Sequence, residues 1–400
     1  MKQMLVHAEP GAMQMALLDH EKLVEYAVER ADGSGIVGSF FKGRVTNVIP
    51  GMQAAFIDIG QKKNAFLYVD DLLPPHLEKQ PKVKPLIAEL LTVGQQVTVQ
   101  VIKDAMGTKG ARVTTHFLLP GRFIVYMPSA GYIAISKKIE RESERTRLKK
   151  LGEQLCHEEE GLIFRTVVDG QNTEAIQDDL AMLRKQWANI QLQATSGIAP
   201  SLLHRDLSMV QRLLRDVFSP STDELIMDSS EQAEEASQFL DQFHSENRPA
   251  IRIHPPGISL FEAYGVQKQL DKAFQRKVWL ESGGYLIWDQ TEALHVVDVN
   301  TGKFVGSGSL EDTVFQTNLQ AAEEIARLLR LRDIGGIIII DFIDMDMDEH
   351  RHQVLNRLQF CMKDDRTQHH ILGWTKLGLM ELTRKKMRES TEHKFHPMLK

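Results

Sequence analysis

Two apolar runs, each interrupted by a carboxylate, constrain this chain more than any other feature. In ALHVVDVNTGKF (293–304) Asp298 and Asn300 break a Val-rich run, and in GGIIIIDFIDMDMDEH (335–350) four Ile lead straight into Asp341. Such runs read as strands that are otherwise buried, and Asp is rarely buried unless it is paired, hydrogen-bonded or holding a metal. Between them Phe315, Leu319, Ala322, Ala326 and Leu329 recur at helical spacing, Ser309 and Asp312 form a capping pattern ahead of them, and Gly335-Gly336 ends the helix. A strand, a helix and a returning strand make a parallel pair in one sheet. That topology sets Asp298 and Asp341, 43 positions apart, side by side.

Two adjacent hard oxygen donors suit Mg2+ or Mn2+, ions that keep several waters and accept a substrate phosphate. An ion so held activates water and steadies charge on a phosphodiester. Asn300 shares the strand face of Asp298 and is placed to orient a ligand or the phosphate. On spacing alone the acids are equally well explained as loop caps or as partners of Arg330 or Arg332. Asp344, Asp346 and Asp348 read as a solvated loop or a helix N-terminus. His369, His370, His393 and His396 have no matching Cys or Glu pattern, so none reads as a metal ligand. No phosphate-cradling Gly-rich loop and no Ser-His-Asp grouping is present.

The remaining length requires further domains, because 400 residues exceed one ordinary core. The two cysteines, Cys156 and Cys361, form neither a disulfide framework nor a CxxC pair. With no apolar leader and no membrane-spanning run, the expectation is a cytoplasmic protein without a membrane segment. A net charge of −6 means that any nucleic-acid surface comes from local basic patches. The first 35 residues read as a small strand pair. From there to about residue 118 short alternating strands with turn signals suggest a small closed barrel. Phe56 and Phe66 flank the basic turn Lys62-Lys63, with Lys42, Arg44 and Lys109 near in sequence. Aromatics interleaved with cations hold single-stranded nucleic acid by stacking and phosphate contact, although either Phe alone reads better as barrel core. GRFIVYMPSAGYIAISKKI (121–139) reads as a hairpin, 142–155 and 173–194 as helices, and 210–273 as helix, strand, helix, strand, helix. In GLIFRT the pair Arg165-Thr166 has the donors to grip a phosphate, and Lys137 and Lys138 of ISKKIE add cations. Taken alone, Arg165 reads better as a surface ion-pair partner.

TNLQAAEEIARLLRLRDIGGIIIIDFIDM, with FKGRVTNVIPGMQAAFIDIGQKKNAFL, ISKKIE, GLIFRT and TKLGLMELTRKK in the same order, resembles the catalytic core of the bacterial ribonuclease E/G family of endoribonucleases, over nearly the whole chain. The resemblance implies an α+β multidomain architecture. An RNase H-like subdomain (1–35 and 210–273) would be split by an S1-type OB-fold RNA-binding barrel (36–118) and a 5′-sensor subdomain (119–209). A DNase I-like α/β catalytic subdomain (274–400) would follow. It implies that Asp298 and Asp341 ligate magnesium and that Asn300 helps place the scissile phosphate. Arg165 and Thr166 would receive a 5′-monophosphate, and Phe56, Phe66, Lys109, Lys137 and Lys138 would contact RNA. The activity implied is Mg-dependent endonucleolytic hydrolysis of single-stranded RNA in RNA processing and decay, leaving 5′-phosphate products and stimulated by 5′-monophosphate ends. Two departures stand out. The family usually carries a CxxC just beyond this core that shares a structural Zn2+ between two chains. This sequence has none, so the zinc-linked form of a homo-oligomer is not expected from these residues. Ile133-Ala134 also stand where family members often have glycines before the pair matching Lys137-Lys138. The alternatives are a non-catalytic RNA-binding protein and a metal-dependent nuclease acting on DNA.

Overall fold

The computed structural model describes residues 2–30, 35–74, 83–105, 108–216, 223–241, 250–291, 294–302, 309–363 and 365–385. The chain divides into two compact units. One comprises Met1–Ala31, Ser219–Glu235 and Pro249–Lys400, the other Asp32–Phe218 and Ala236–Arg248. His393, His396 and the cysteine-free stretch after 385 lie outside the described residues.

Alternating apolar residues at the N-terminus make three strands, not the expected pair. β1 (Lys2–Glu9), β2 (Ala12–Asp19) and β3 (Lys22–Arg30) form an antiparallel meander. Pro10-Gly11 marks the first turn in the usual way. The second turn is built from His20 and Glu21 at φ 47° and 64°. That is hairpin geometry ordinarily taken by Asn or Gly, so the sequence shows no break there.

In the second unit, β4 (Phe40–Ile49), β5 (Ala54–Asp58), β6 (Ala65–Tyr68), the short α1 (Ile87–Leu90), β7 (Gln96–Lys103) and β8 (Arg112–Thr114) make the expected barrel. The neighbour order β4-β5-β6-β8-β7 closes on itself because β7 pairs back to β4. This is a closed five-stranded barrel of OB type. Val45, Ala55, Ile57, Ala65, Leu67, Val99 and Val113 fill it.

Next come β9 (Leu119–Pro120), β10 (Ile124–Met127), β11 (Ile133–Ile135), α2 (Glu142–Leu155), β12 (Gly161–Phe164), α3 (Thr173–Ser196), β13 (Ser201–His204) and α4 (Met209–Asp216). The hairpin expected over 121–139 does not form. β10 runs antiparallel and β11 parallel to β12, which lies between them. β12 carries the fully buried Leu162 and Phe164 and takes an interior position in its sheet. β13 pairs with β4 on the barrel.

In sequence, β14 (Asp223–Met227), α5 (Ser230–Asp241) and β15 (Ala250–Ile253) follow, the two strands belonging to the first unit; β14 runs parallel to β1 and β15 to β14. One sheet, β15-β14-β1-β2-β3, thus unites two distant stretches of sequence. After α6 (Leu260–Ala263) and α7 (Val266–Ala273), the C-terminal sheet is built from β16 (Lys277–Trp279), β17 (Tyr285–Gln290), β18 (Leu294–Asn300), α8 (Leu310–Leu331), β19 (Gly336–Asp341), α9 (Asp348–Met362), β20 (His369–Trp374) and β21 (Met380–Arg384). Its order is β16-β17-β18-β19-β21-β20. α8 begins at the Ser309/Asp312 capping box, with Ser309 Oγ accepting from Asp312 N–H at 3.1 Å. It buries Ala321, Ala322, Ile325, Ala326 and Leu329 against Val297, Val299, Ile338 and Ile340, with Val354 and Leu358 of α9 in the same core. Each fully buried Leu, Ile or Val is worth about 1.5–3 kcal/mol, so this core holds β18 and β19 together. Among the described residues no helix is long and apolar enough to cross a membrane.

Candidate active site

β18 and β19 run parallel, and Asp298 is the register partner of Asp341. Both carboxylates are exposed, which corrects the expectation of acids in buried strands. Side chains alternate across a strand, so Val297, Val299, Ile338 and Ile340 enter the core while Asp298, Asn300 and Asp341 take the opposite, open face. Asn300 donates from Nδ2 to Asp298 Oδ2 at 2.7 Å, fixing the rotamer of that acid. Partial burial and the charges of Asp298 and Asp344 hold the Asp341 carboxyl above its ordinary value. Arg332, one of the ion-pair partners weighed in the sequence, points elsewhere. It is 2% exposed, donates to Ala273 O (2.7 Å) and Gln275 O (2.8 Å), and lies over the Trp288 ring. Among the described residues no group of three or more His, Cys, Asp or Glu is arranged to hold a metal.

The loop after β19 is anchored by residues that motif reading missed. Asn318, fully buried on α8, donates to Ile343 O (2.8 Å) and accepts from Ile343 N–H (3.1 Å). Glu311 accepts from the Asp346 N–H (3.2 Å) and Met347 N–H (3.4 Å) and meets His350 Nδ1 at 2.6 Å. The Asp346 amide first, then His350, holds the Glu311 carboxyl below its usual range. His350 stacks on Phe315 with ring centroids 4.1 Å apart. The one available signal was a polar Asn within the apolar stripe of α8.

On the barrel, Phe56 and Phe66 are register partners on β5 and β6, with centroids 5.9 Å apart and planes at 73°. Neither joins the barrel core; their neighbours Ala55, Ile57, Ala65 and Leu67 do. The rings therefore lie on the outer surface of the second and third barrel strands, the face OB folds use for oligonucleotides. Lys109 is exposed in the loop before β8. The next residue has to be glycine, since a Cβ at Gly110 would lie 1.9 Å from Asn64 O. Lys42 and Arg44 are used within the unit instead: Lys42 Nζ donates to Ala194 O (2.6 Å) and Gly197 O (2.8 Å), and Arg44 to Ala199 O (3.2 Å). These cations satisfy carbonyls at and beyond the C-terminus of α3.

Arg165, Thr166, Lys137 and Lys138 converge where β11 and β12 end. Ser136 N–H donates to Phe164 O (2.9 Å), and Ser136 Oγ meets Thr166 Oγ1 at 2.9 Å. Thr166, Lys137 and Lys138 are exposed. Arg165 Nη1 donates to Gly121 O (2.6 Å) and pairs with Asp216 at 2.7 Å. Burial pushes the Asp216 carboxyl up, but Arg215 and Arg165 outweigh it and hold it below its usual value. Asp179 of α3 holds the 121–124 loop by accepting from the amides of Arg122, Phe123 and Ile124. Asp179 and Asp216, distant in sequence from GLIFRT, carry no local signal of this role.

Residues 118–387 match the family model described as "Ribonuclease E/G family". The chain is 43% identical to Ribonuclease G of Salmonella typhimurium over 98% of its own length and 81% of the relative's. It is 42% identical to Ribonuclease G of Haemophilus influenzae over the same shares. To Ribonuclease E of a Nostoc species it is 40% identical over 93% of this chain and 54% of the relative. With its paired strand-end acids, its OB-type barrel and these matches, the chain belongs to the ribonuclease E/G family.

Proposed function

We propose that this chain is a divalent-metal-dependent endoribonuclease, using Mg2+ or Mn2+, that cuts single-stranded RNA and favours 5′-monophosphorylated ends. Membership of a ribonuclease family makes it a hydrolase acting on RNA. The observation that carries the metal-dependent reading is the exposed register pair Asp298–Asp341 with Asn300 beside it. Two like charges set side by side in register fit a hard cation. Two carboxylates are as many as a Mg2+ site commonly takes from protein, since waters and substrate phosphate complete it. Asp298 and Asp341 would hold the ion, which when bound supplies Lewis-acid charge and lowers the pKa of water. Asn300 keeps Asp298 oriented and offers its amide to the phosphate. Water adds to phosphorus, the P–O3′ bond breaks and the proton goes to O3′, leaving a 5′-phosphate and a 3′-hydroxyl.

Phe56 and Phe66 would stack bases while Lys109 meets phosphate. Arg165, Thr166, Lys137 and Lys138 would receive the 5′-monophosphate, with Asp216 presenting Arg165 to it. In this reading the sheet shared by 2–30 and 223–253 is the split RNase H-like subdomain, 36–118 the S1 barrel, 119–209 the 5′ sensor and 274–400 the DNase I-like part. The test is cleavage of a 5′-monophosphorylated, A/U-rich single-stranded RNA with Mg2+, alongside a matched DNA. Wild type cuts the RNA only, whereas Asp298→Asn and Asp341→Asn bind it but cut about 10²–10³-fold more slowly. Variants that cut as fast as wild type would place the metal elsewhere.

A further inference from the structure

The open face of the C-terminal sheet carries more than the acids. Register pairing lines up one row as Lys277, Ile287, Asp298 and Asp341, and the next as Trp279, Tyr285 and Asn300. Directly paired residues project from the same face of a sheet. Lys277, Trp279 and Tyr285 therefore share the face of Asp298, Asn300 and Asp341. Two strand spacings, about 10 Å, separate β16 from β18.

Trp279 is 54% exposed. Its ring meets Tyr285 edge-on at 5.3 Å and 63°, and Lys277 Nζ lies 4.2 Å from the Trp279 centroid and 3.6 Å from that of Tyr285. Gly302 secures the arrangement, since a Cβ there would fall 3.1 Å from the Tyr285 ring and 2.4 Å from Gly283 O. A lysine alone would protect β16 as an edge strand. An indole held open beside it does not serve that purpose.

We propose that Trp279, Tyr285 and Lys277 form a base-stacking subsite for the nucleotide adjoining the scissile phosphate. The indole offers its face to the base and Lys277 its charge to the backbone. Every base has a π face, so the subsite takes single-stranded RNA with little sequence preference. The proposal rests on the metal-site reading, because it makes the occupant the same strand that crosses Asp298 and Asp341.

The experiment is steady-state cleavage of a short 5′-monophosphorylated RNA with a single cut site, and of versions carrying one abasic nucleotide on either side of the cut. Wild type and Asp341→Asn come first: if wild type does not cut, or Asp341→Asn cuts equally well, the metal-site reading fails whatever Trp279 does. With that arm satisfied, Trp279→Ala raises KM roughly 5- to 100-fold, Trp279→Phe restores most of the loss, and removing the base from one adjoining nucleotide erases the difference between wild type and Trp279→Ala. An unchanged KM for Trp279→Ala, or a difference that persists whichever nucleotide is abasic, overturns the subsite.

Discussion

On the buried face of the C-terminal sheet, Arg384 is 5% exposed and its guanidinium is fully engaged. It meets Asp365 at 2.7 Å, Asp333 at 3.0 Å, Ile334 O at 2.7 Å and Thr367 Oγ1 at 3.0 Å. On the open face of the same sheet, Asp298 and Asp341 stand in register with like charge. The two faces share their strands, so the contrast comes from what each charge is for. A charge that serves the fold is neutralised by the chain, because a buried unpaired ion costs several kcal/mol. On our proposal, a like-charged pair left standing at the surface would be complementary to a cation.

Breaking the buried side should have the largest effect. Asp365→Ala leaves Arg384 without its principal counter-ion and should cost about 3–5 kcal/mol, read as a lower urea midpoint. A loss too small to move the midpoint would show that the buried charges are not mutually compensating. Asn318→Ala comes next, since it strips the side-chain partner from both the N–H and the C=O of Ile343. The expected cost is about 1–3 kcal/mol, with kcat falling and KM for RNA unchanged because the β19 loop slackens; a lower kcat accompanied by weaker RNA binding would contradict a purely positioning role.

The smallest effect sharpens the open side. Burial, Asp298 and Asp344 raise the Asp341 carboxyl in the folded protein. As pH rises through the carboxylate range, the unfolded chain loses that proton first. The metal-free folded protein then holds more protons than the unfolded chain, so its stability falls with pH. Asp341→Asn removes the term. The metal-free variant should melt slightly above wild type, by a margin that grows with pH, and Mg2+ should reverse the order by binding wild type preferentially. Parallel melting curves at all pH values would mean that the Asp341 carboxyl is not raised in the folded protein.

Much of this was legible in the residues themselves. The spacing of Phe315, Leu319, Ala322, Ala326 and Leu329 and the Ser309/Asp312 box marked α8, and the flanking apolar runs marked β18 and β19. The barrel showed in its alternation and turns. What escaped was non-local or locally silent. The His20-Glu21 turn uses residues with no turn preference, and β12 enters between β10 and β11 from some 25 positions downstream. The exposure of the acids depends on which face of the sheet the helices cover, which alternation alone does not choose. Lys42 and Arg44 counted as RNA-facing cations only until their carbonyl partners, some 150 positions away, were in view.

Those same two side chains bear on how divisible the molecule is. β4 belongs to the barrel, yet it pairs with β13 and supplies the lysine that ends α3. The barrel is therefore not a bead that evolution or an engineer can lift out at 36–118 and exchange. Excision would strip β4 of a neighbouring strand, bare the 2%-exposed Phe40 and unseat the end of a helix contributed by another part of the chain. The barrel is continuous with the body that holds Arg165.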